Sequence, residues 1–205
     1  MHGSRIMPCL PTKFQVTLIY ATVYLAIFSS AILGVYLQRR QERAALADRG
    51  RPPAQFAATI TAEDHCRAAD YTAARMRLSV AETLLDATLA IVWLALLLGP
   101  LHGLLAQVFA PGLSLSVAVV VTVAVVDHLL RLPFALAETF GLEARFGFNR
   151  STPAMFLLDE AKGAALWLLF FVPLLYGLFF AARFAPDYWW IAGFVVSVAL
   201  LLVLN

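Results

Sequence analysis

The sequence predicts an all-α, polytopic helical membrane protein of about five transmembrane helices, and three observations predict it. Hydrophobic residues fill 61% of 205 positions and charged residues 14%, with a mean hydropathy of +0.80. A soluble domain carries about 45–50% apolar and about 25% charged residues. Secondly, the charges avoid long stretches of chain, and thirdly, the basic ones are sorted between alternate loops. A water-soluble core of this length could not hide so much apolar surface. The composition likewise excludes a disordered chain, a nucleic-acid module and a disulfide scaffold. At +2, the net charge is too small to argue for a polyanionic partner, so the positions of the charges carry the information.

Phe14 to Gln38 is the first stretch without Asp, Glu, Lys or Arg, 25 residues long. About 20 apolar residues cross a hydrocarbon core of about 30 Å, so a span is expected near 14–37. Arg5 and Lys13 precede it, as in a signal peptide. The run far exceeds the roughly 7–15 residues of a signal's apolar region and no A-x-A site follows, so it reads as a retained anchor. Ala87 to Val126 is charge-free for 40 residues, enough for two spans. It should break at Gly99-Pro100 or Ala110-Pro111-Gly112, giving spans near 79–99 and 113–136. Gly163 to Ala182 adds 20 residues and Tyr188 to Asn205 adds 18, for spans near 162–183 and 187–204. Helices are expected because lipid offers the backbone no hydrogen-bond partner, and no segment alternates as a barrel strand does.

Lysine and arginine set the orientation. The segments 38–78 and 137–161, with their flanking helix ends, hold 12 of the 15 basic residues. The opposite side holds Arg5, Lys13 and Arg183, and the connection between the second and third spans has none. The N-terminus is therefore expected outside and the C-terminus in the cytoplasm. Cys9 then falls outside and Cys66 inside, so the two are not expected to pair.

In the first cytoplasmic segment, Gly50-Arg51-Pro52-Pro53 is a breaker and Thr61-Ala62-Glu63-Asp64 has the form of a capping box. A helix starting near Ala62 would run without Gly or Pro into the second span. Its first part, 62–78, would project about 25 Å, either as a solvated stalk or as a docking surface. The second segment contains Leu132-Pro133-Phe134 and Arg145-Phe146-Gly147-Phe148-Asn149-Arg150-Ser151-Thr152-Pro153. Phe140, Phe146 and Phe148, with Gly141 and Gly147, imply a compact, partly buried turn. Thr152 followed by Pro153 suits a helix N-cap with proline at the first helical position. Asp159, Glu160 and Lys162 follow at the entrance of the fourth span. Asn149-Arg150-Ser151 matches a glycosylation sequon but lies on the cytoplasmic side, which argues against that use.

Ionisable residues in or near the apolar core are functional candidates. Asp127, His128 and Arg131 stand in the inner half of the third span, and Asp127 and Arg131 are placed to pair at i, i+4. Glu82 and Asp86 put two acids on one face near the inner end of the second span, toward Arg131, an aqueous cavity or an absent partner segment. His128 reads more simply as a packed or hydrogen-bonded residue than as a metal ligand. Gly99 to Gly103 has a small-xxx-small form, yet Pro100 favours a turn there over a dimer seam. None of His2, His65, His102 and His128 is followed by Glu, so there is no H-E-x-x-H, and no G-x-S-x-G or phosphate-binding loop occurs. No catalytic or metal residue is assigned. The last apolar run ends at Asn205 without a basic flank, which suggests the front part of a longer chain.

His65-Cys66-Arg67-Ala68-Ala69-Asp70-Tyr71-Thr72 resembles the H-x-x-A-x-x-Y-T segment of the membrane-bound CAAX prenyl protease 1 family. The segment Arg145–Pro153, followed by Phe156, Asp159 and Lys162, is similar to that family's R-F-G-F-N-(R/K)-x-T-P loop and next helix. Tyr188-Trp189-Trp190 resembles its W-W at the fifth span. The resemblance implies a zinc metalloprotease whose seven helices enclose a chamber. Zinc would be held by an H-E-x-x-H and a downstream Glu that this chain lacks. Eukaryotic members trim C-terminal CAAX motifs of prenylated proteins, and bacterial members are linked to membrane-protein quality control.

The resemblance thus leads to the N-terminal transmembrane domain of such a protease, in a bacterial inner membrane. Its implied partners are the lipid bilayer, a C-terminal zinc domain and a prenylated or membrane polypeptide, with no nucleic acid. No cofactor is expected in this chain, since zinc belongs to a full-length relative. Arg145, Phe148, Asn149, Arg150, Thr152, Pro153, Asp159 and Lys162 would face the chamber or the zinc domain. A rival reading is a non-catalytic scaffold or partner subunit. A small transporter, resting on Glu82, Asp86 and Asp127 alone, is weaker because no pair of interrupted helices occurs in matching halves.

Overall fold

The computed structural model describes residues 12–52 and 61–204, and every regular element among them is helical. Expectations that concern Arg5, Cys9, Pro53 and Asn205 lie outside the described residues. Two compact units divide the chain, one ending at Ala95 and the other beginning at Leu96.

The first unit is a pair of helices, α1 (Thr12–Ala47) and α2 (Ala62–Val92). α1 continues well past the charge-free stretch because Arg39 to Ala47 contains no Gly or Pro. It stops just before Gly50, where the Arg51 N–H donates to the Asp48 carbonyl at 3.0 Å. α2 starts at the predicted cap: Thr61 Oγ1 accepts the Asp64 N–H at 3.1 Å and donates to the Asp64 carboxylate at 2.7 Å. The pairing is antiparallel, since Gln38 meets Thr83, Glu42 meets Arg77 and Arg49 meets Asp70.

Gly34 lets the two backbones approach. A Cβ there would lie 3.3 Å from Thr83 Cγ2. Thr83 is not free to turn away, because its hydroxyl accepts from Gln38 Nε2 at 2.8 Å and donates to the Ser79 carbonyl at 2.9 Å. Gly34→Ala is therefore expected to cost about 1 kcal/mol through overpacking. Thr83→Ser, which removes Cγ2 and keeps the hydroxyl, should restore the melting temperature in the double variant. A melting temperature unchanged by Gly34→Ala would show that the helices can separate freely.

After α2 the chain stays helical through a π-helical turn, Trp93–Leu97, into α3 (Leu98–Leu105). Of the two expected breaks, Gly99-Pro100 and Ala110-Pro111-Gly112, the helix passes through the first and ends before the second. Pro100 lies within this continuous helical run, just past the π-helical turn, and the helix continues through it to Leu105. The break comes instead near Ala110-Pro111-Gly112, and Gly99 to Gly103 is helix rather than turn.

In the second unit, α4 (Leu113–Leu136) is prolonged by a π-helical segment, Ala137–Glu143, and a final turn, α5 (Ala144–Phe146). This is a second departure. The phenylalanines and glycines from Phe140 to Phe148 imply a compact turn, yet the chain stays helical to Phe146 and only 147–152 is irregular. Pro133 lacks the N–H that would close onto Leu129, yet it lies inside the helix without ending it. α6 (Pro153–Phe184) returns alongside α4, and α7 (Trp189–Leu204) packs on α6.

Among the described residues, four helical stretches are long and apolar enough to cross a membrane: Gln15–Ala47, Ala62–Leu105, Leu113–Phe146 and Pro153–Phe184. Their apolar side chains face outward; Leu25, Ile32, Leu169 and Phe170 are more than 60% exposed. Such a surface is stable against lipid and would not persist in water. α7 has 16 residues, or about 24 Å of helix.

Candidate functional site

The irregular segment of the second unit is held from both ends. Gly147 takes φ +78°, a left-handed conformation that side chains disfavour. This lets the N–H groups of Phe148 and Asn149 donate to the Glu143 carbonyl at 2.8 and 3.3 Å. Asn149 Oδ1 then accepts the Ser151 N–H at 2.7 Å, closing an Asx turn. Thr152 Oγ1 accepts the Met155 N–H at 3.3 Å and caps α6, with Pro153 at its first position. Gly147, Asn149, Thr152 and Pro153 therefore shape the backbone.

The remaining side chains divide between support and display. Phe146 is buried at 9% exposure, with the Arg145 guanidinium 5.8 Å from its ring centroid. Phe140 meets Phe156 of α6 edge-on, their centroids 5.6 Å apart. Phe148 is 54% exposed, so it does not join the buried ring cluster expected from its spacing. Arg145 and Arg150 are also exposed. The result is a short, braced loop that turns an apolar ring and two guanidinium groups outward.

A cleft of about 620 Å³ lies in the same unit, lined by Asp127, His128 and Arg131 of α4 and by Gly163, Ala164 and Trp167 of α6. Gly163 and Ala164 leave room opposite the α4 polar group. His128 Nε2 stands 3.0 Å from Glu160 Oε2. Sequence reasoning placed His128 as a hydrogen-bonded helix residue but passed over Glu160 as its partner, because no local spacing links residues on two separate helices. Asp159 and Lys162 lie 3.7 Å apart at i, i+3 on the exposed face of α6. Glu82 and Asp86 belong to the first unit. Glu82 is half-buried, and Asp86 lines a groove of about 510 Å³ with Ser30, Gly34 and Thr83.

Among the described residues, no three His, Cys, Asp or Glu side chains converge as metal ligands. A catalytic zinc takes three protein ligands. The pair His128–Glu160 does not fit that requirement, so no metal-bound water is assigned to these residues.

Residues 41–205 match the family described as CAAX prenyl protease N-terminal, five membrane helices. The chain belongs to this family. It is an N-terminal membrane domain of a metalloprotease family, and it is an integral membrane protein. The chain is similar to the CAAX prenyl protease 1 homolog of Arabidopsis thaliana, at 32% identity over 81 residues. That match covers 38% of this chain and 19% of the plant protein. Its fold is similar to the crystal structure of S. mikatae Ste24p, with a TM-score of 0.72 at 19% sequence identity. The likeness covers 87% of this chain and 43% of the yeast chain. The chain therefore spans less than half the length of these relatives.

Proposed function

We propose that this chain forms part of the wall of a membrane chamber, in which a downstream zinc domain hydrolyses a prenylated or membrane polypeptide. The observation that carries the reading is the loop 147–152. Its backbone is pinned by four hydrogen bonds to Glu143, Asn149 and Thr152, yet it displays Phe148 and Arg150. A rigid loop that presents a large ring without covering it is suited to docking, because ordering it on binding costs little. The zinc domain would supply the metal and its activated water; the residues here would position it. Within the second unit Asp127, His128 and Arg131 would line an aqueous cleft, and within the first Asp86, with Glu82 one turn before it, would line a polar groove. The sorting of basic residues supports an outside N-terminus and a cytoplasmic C-terminus, and we place the protein in a bacterial inner membrane.

The first test is the gene beyond codon 205: an in-frame H-E-x-x-H supports the reading, and an open frame without one sinks it. In the full-length protein, a photo-crosslinking residue at position 148 should join to the zinc domain. Phe148→Ala should lower proteolysis of a prenylated peptide about tenfold, equivalent to roughly 1.4 kcal/mol of transition-state stabilisation, with zinc content unchanged. Crosslinking only to a separate polypeptide, with proteolysis unaffected, would establish the scaffold reading instead.

A further inference from the structure

The charges of the first unit are sorted by depth along the helix pair. Arg39, Arg40 and Arg43 follow immediately on the charge-free stretch that ends at Gln38. The contact between Glu42 and Arg77 brings Arg75 and Arg77 of α2 to the same level. All five arginines are exposed. Glu42, the carboxylate among them, is buried and turned inward onto Arg39 at 2.9 Å and Arg77 at 2.7 Å. Glu82 is the next carboxylate, more than one turn nearer the apolar span. Even with both acids counted, this band has five arginines against two carboxylates.

Farther from the span the balance reverses. Arg49, Arg51 and Arg67 accompany Asp48, Glu63, Asp64 and Asp70, so three arginines meet four carboxylates. One of these pairs, Arg49–Asp70, closes at 2.7 Å. A helix pair that needed only solubility would gain as much from charge at its tip. Here the net positive charge is confined to residues 39–43 and their partners, a rise of about 6 Å. That matches the roughly 5–7 Å of headgroup region flanking each side of the hydrocarbon core.

We propose that this arginine band binds the phosphate groups of anionic phospholipids at the membrane face. Arg40 and Arg43 supply guanidinium groups beside the Glu42 cluster that can each give a phosphate two parallel N–H donors, and Arg75, whose Nη1 donates to the Tyr71 hydroxyl at 3.1 Å, adds its positive charge beside them. The depth selects lipid over a soluble acidic partner, since both membrane faces place phosphates at this level. The proposal depends on membrane embedding and not on the protease reading or on orientation.

The test uses the chain in nanodiscs of phosphatidylcholine mixed with phosphatidylglycerol, with retained lipid counted by native mass spectrometry. Arg40→Gln, Arg43→Gln and Arg75→Gln together should lower phosphatidylglycerol affinity on the order of a hundredfold, the loss expected for three surface arginines. Arg49→Gln, Arg51→Gln and Arg67→Gln together, at the tip, should leave it near the wild-type value. Wild-type protein gives an independent readout: retention should fall with rising salt and resist displacement by soluble glycerol phosphate. Equal retention by the band variant, equal loss in the tip variant, or competition by glycerol phosphate at lipid-like concentrations would each overturn the proposal.

Discussion

Phe146→Ala is expected to destabilise the second unit by about 3 kcal/mol, the low end of the range for removing a buried aromatic ring. The ring is 9% exposed and closes the helical path immediately before the Gly147 turn. Its loss leaves α5 with a single helical turn and little apolar surface to hold it. The braced loop should loosen with it, so limited proteolysis ought to cut within 147–152 in the variant and spare the parent. Phe148→Ala is the control, because that ring is 54% exposed and its removal should leave the melting temperature nearly unchanged. Equal effects from the two substitutions would mean that burial does not distinguish these rings.

Glu42→Ala should cost about 2 kcal/mol in the first unit. The carboxylate loses two charge-assisted hydrogen bonds, each worth about 1.5–3 kcal/mol when formed. The total is held down because the guanidinium groups, 49% and 62% exposed, recover water. Glu42 lies beyond the charge-free span, in the polar continuation of α1. Hydrogen bonds from Arg77 and then Arg39 hold its carboxyl below the ordinary value of 4.5, against the opposing effect of burial. A depressed folded value means that the unfolded chain takes up a proton first as pH falls. The stabilisation is therefore complete above the ordinary carboxylate value and drains away below it, as pH passes through the lowered folded value. Melting temperatures of Glu42→Gln and the parent should differ at neutral pH and converge in acid. A difference that grew on acidification would refute this account.

Both effects bear on how much of this protein could be read from its residues. The start of α2 at Ala62 and of α6 at Pro153 were legible because caps are local: Thr61 and Thr152 each satisfy an N–H three residues away. The end of α1 was less so, since nothing in Arg39–Ala47 stops a helix that has already left the apolar stretch. The Gly99-Pro100 pair was misleading for a related reason. Proline in a helix interior removes one hydrogen bond without having to end the helix, and here the chain continues from the π-helical turn at Trp93–Leu97 through Pro100 to Leu105.

At the candidate site the division falls elsewhere. The R-F-G-F-N-R-S-T-P segment announced its own turn through Gly147, Asn149 and Thr152, whose roles are carried by backbone groups within a few residues. Which rings it buries was not announced: Phe146 turns in and Phe148 turns out, although both flank the same glycine. The partner of His128 was equally hidden, because Glu160 reaches it from another helix.

The sequence by itself determined a membrane protein of helices, their approximate number and their caps. Those properties follow from apolar length and from hydrogen bonds that close within four residues. The packing of separate helices fixes that α1 and α2 pair with Glu42 against Arg77, that α4 and α6 share a cleft, and that five arginines stand at one level of the α1–α2 pair. Each of these depends on two helices meeting in one register. In lipid that register is set by close packing at residues such as Gly34, not by an apolar stripe that a sequence would display.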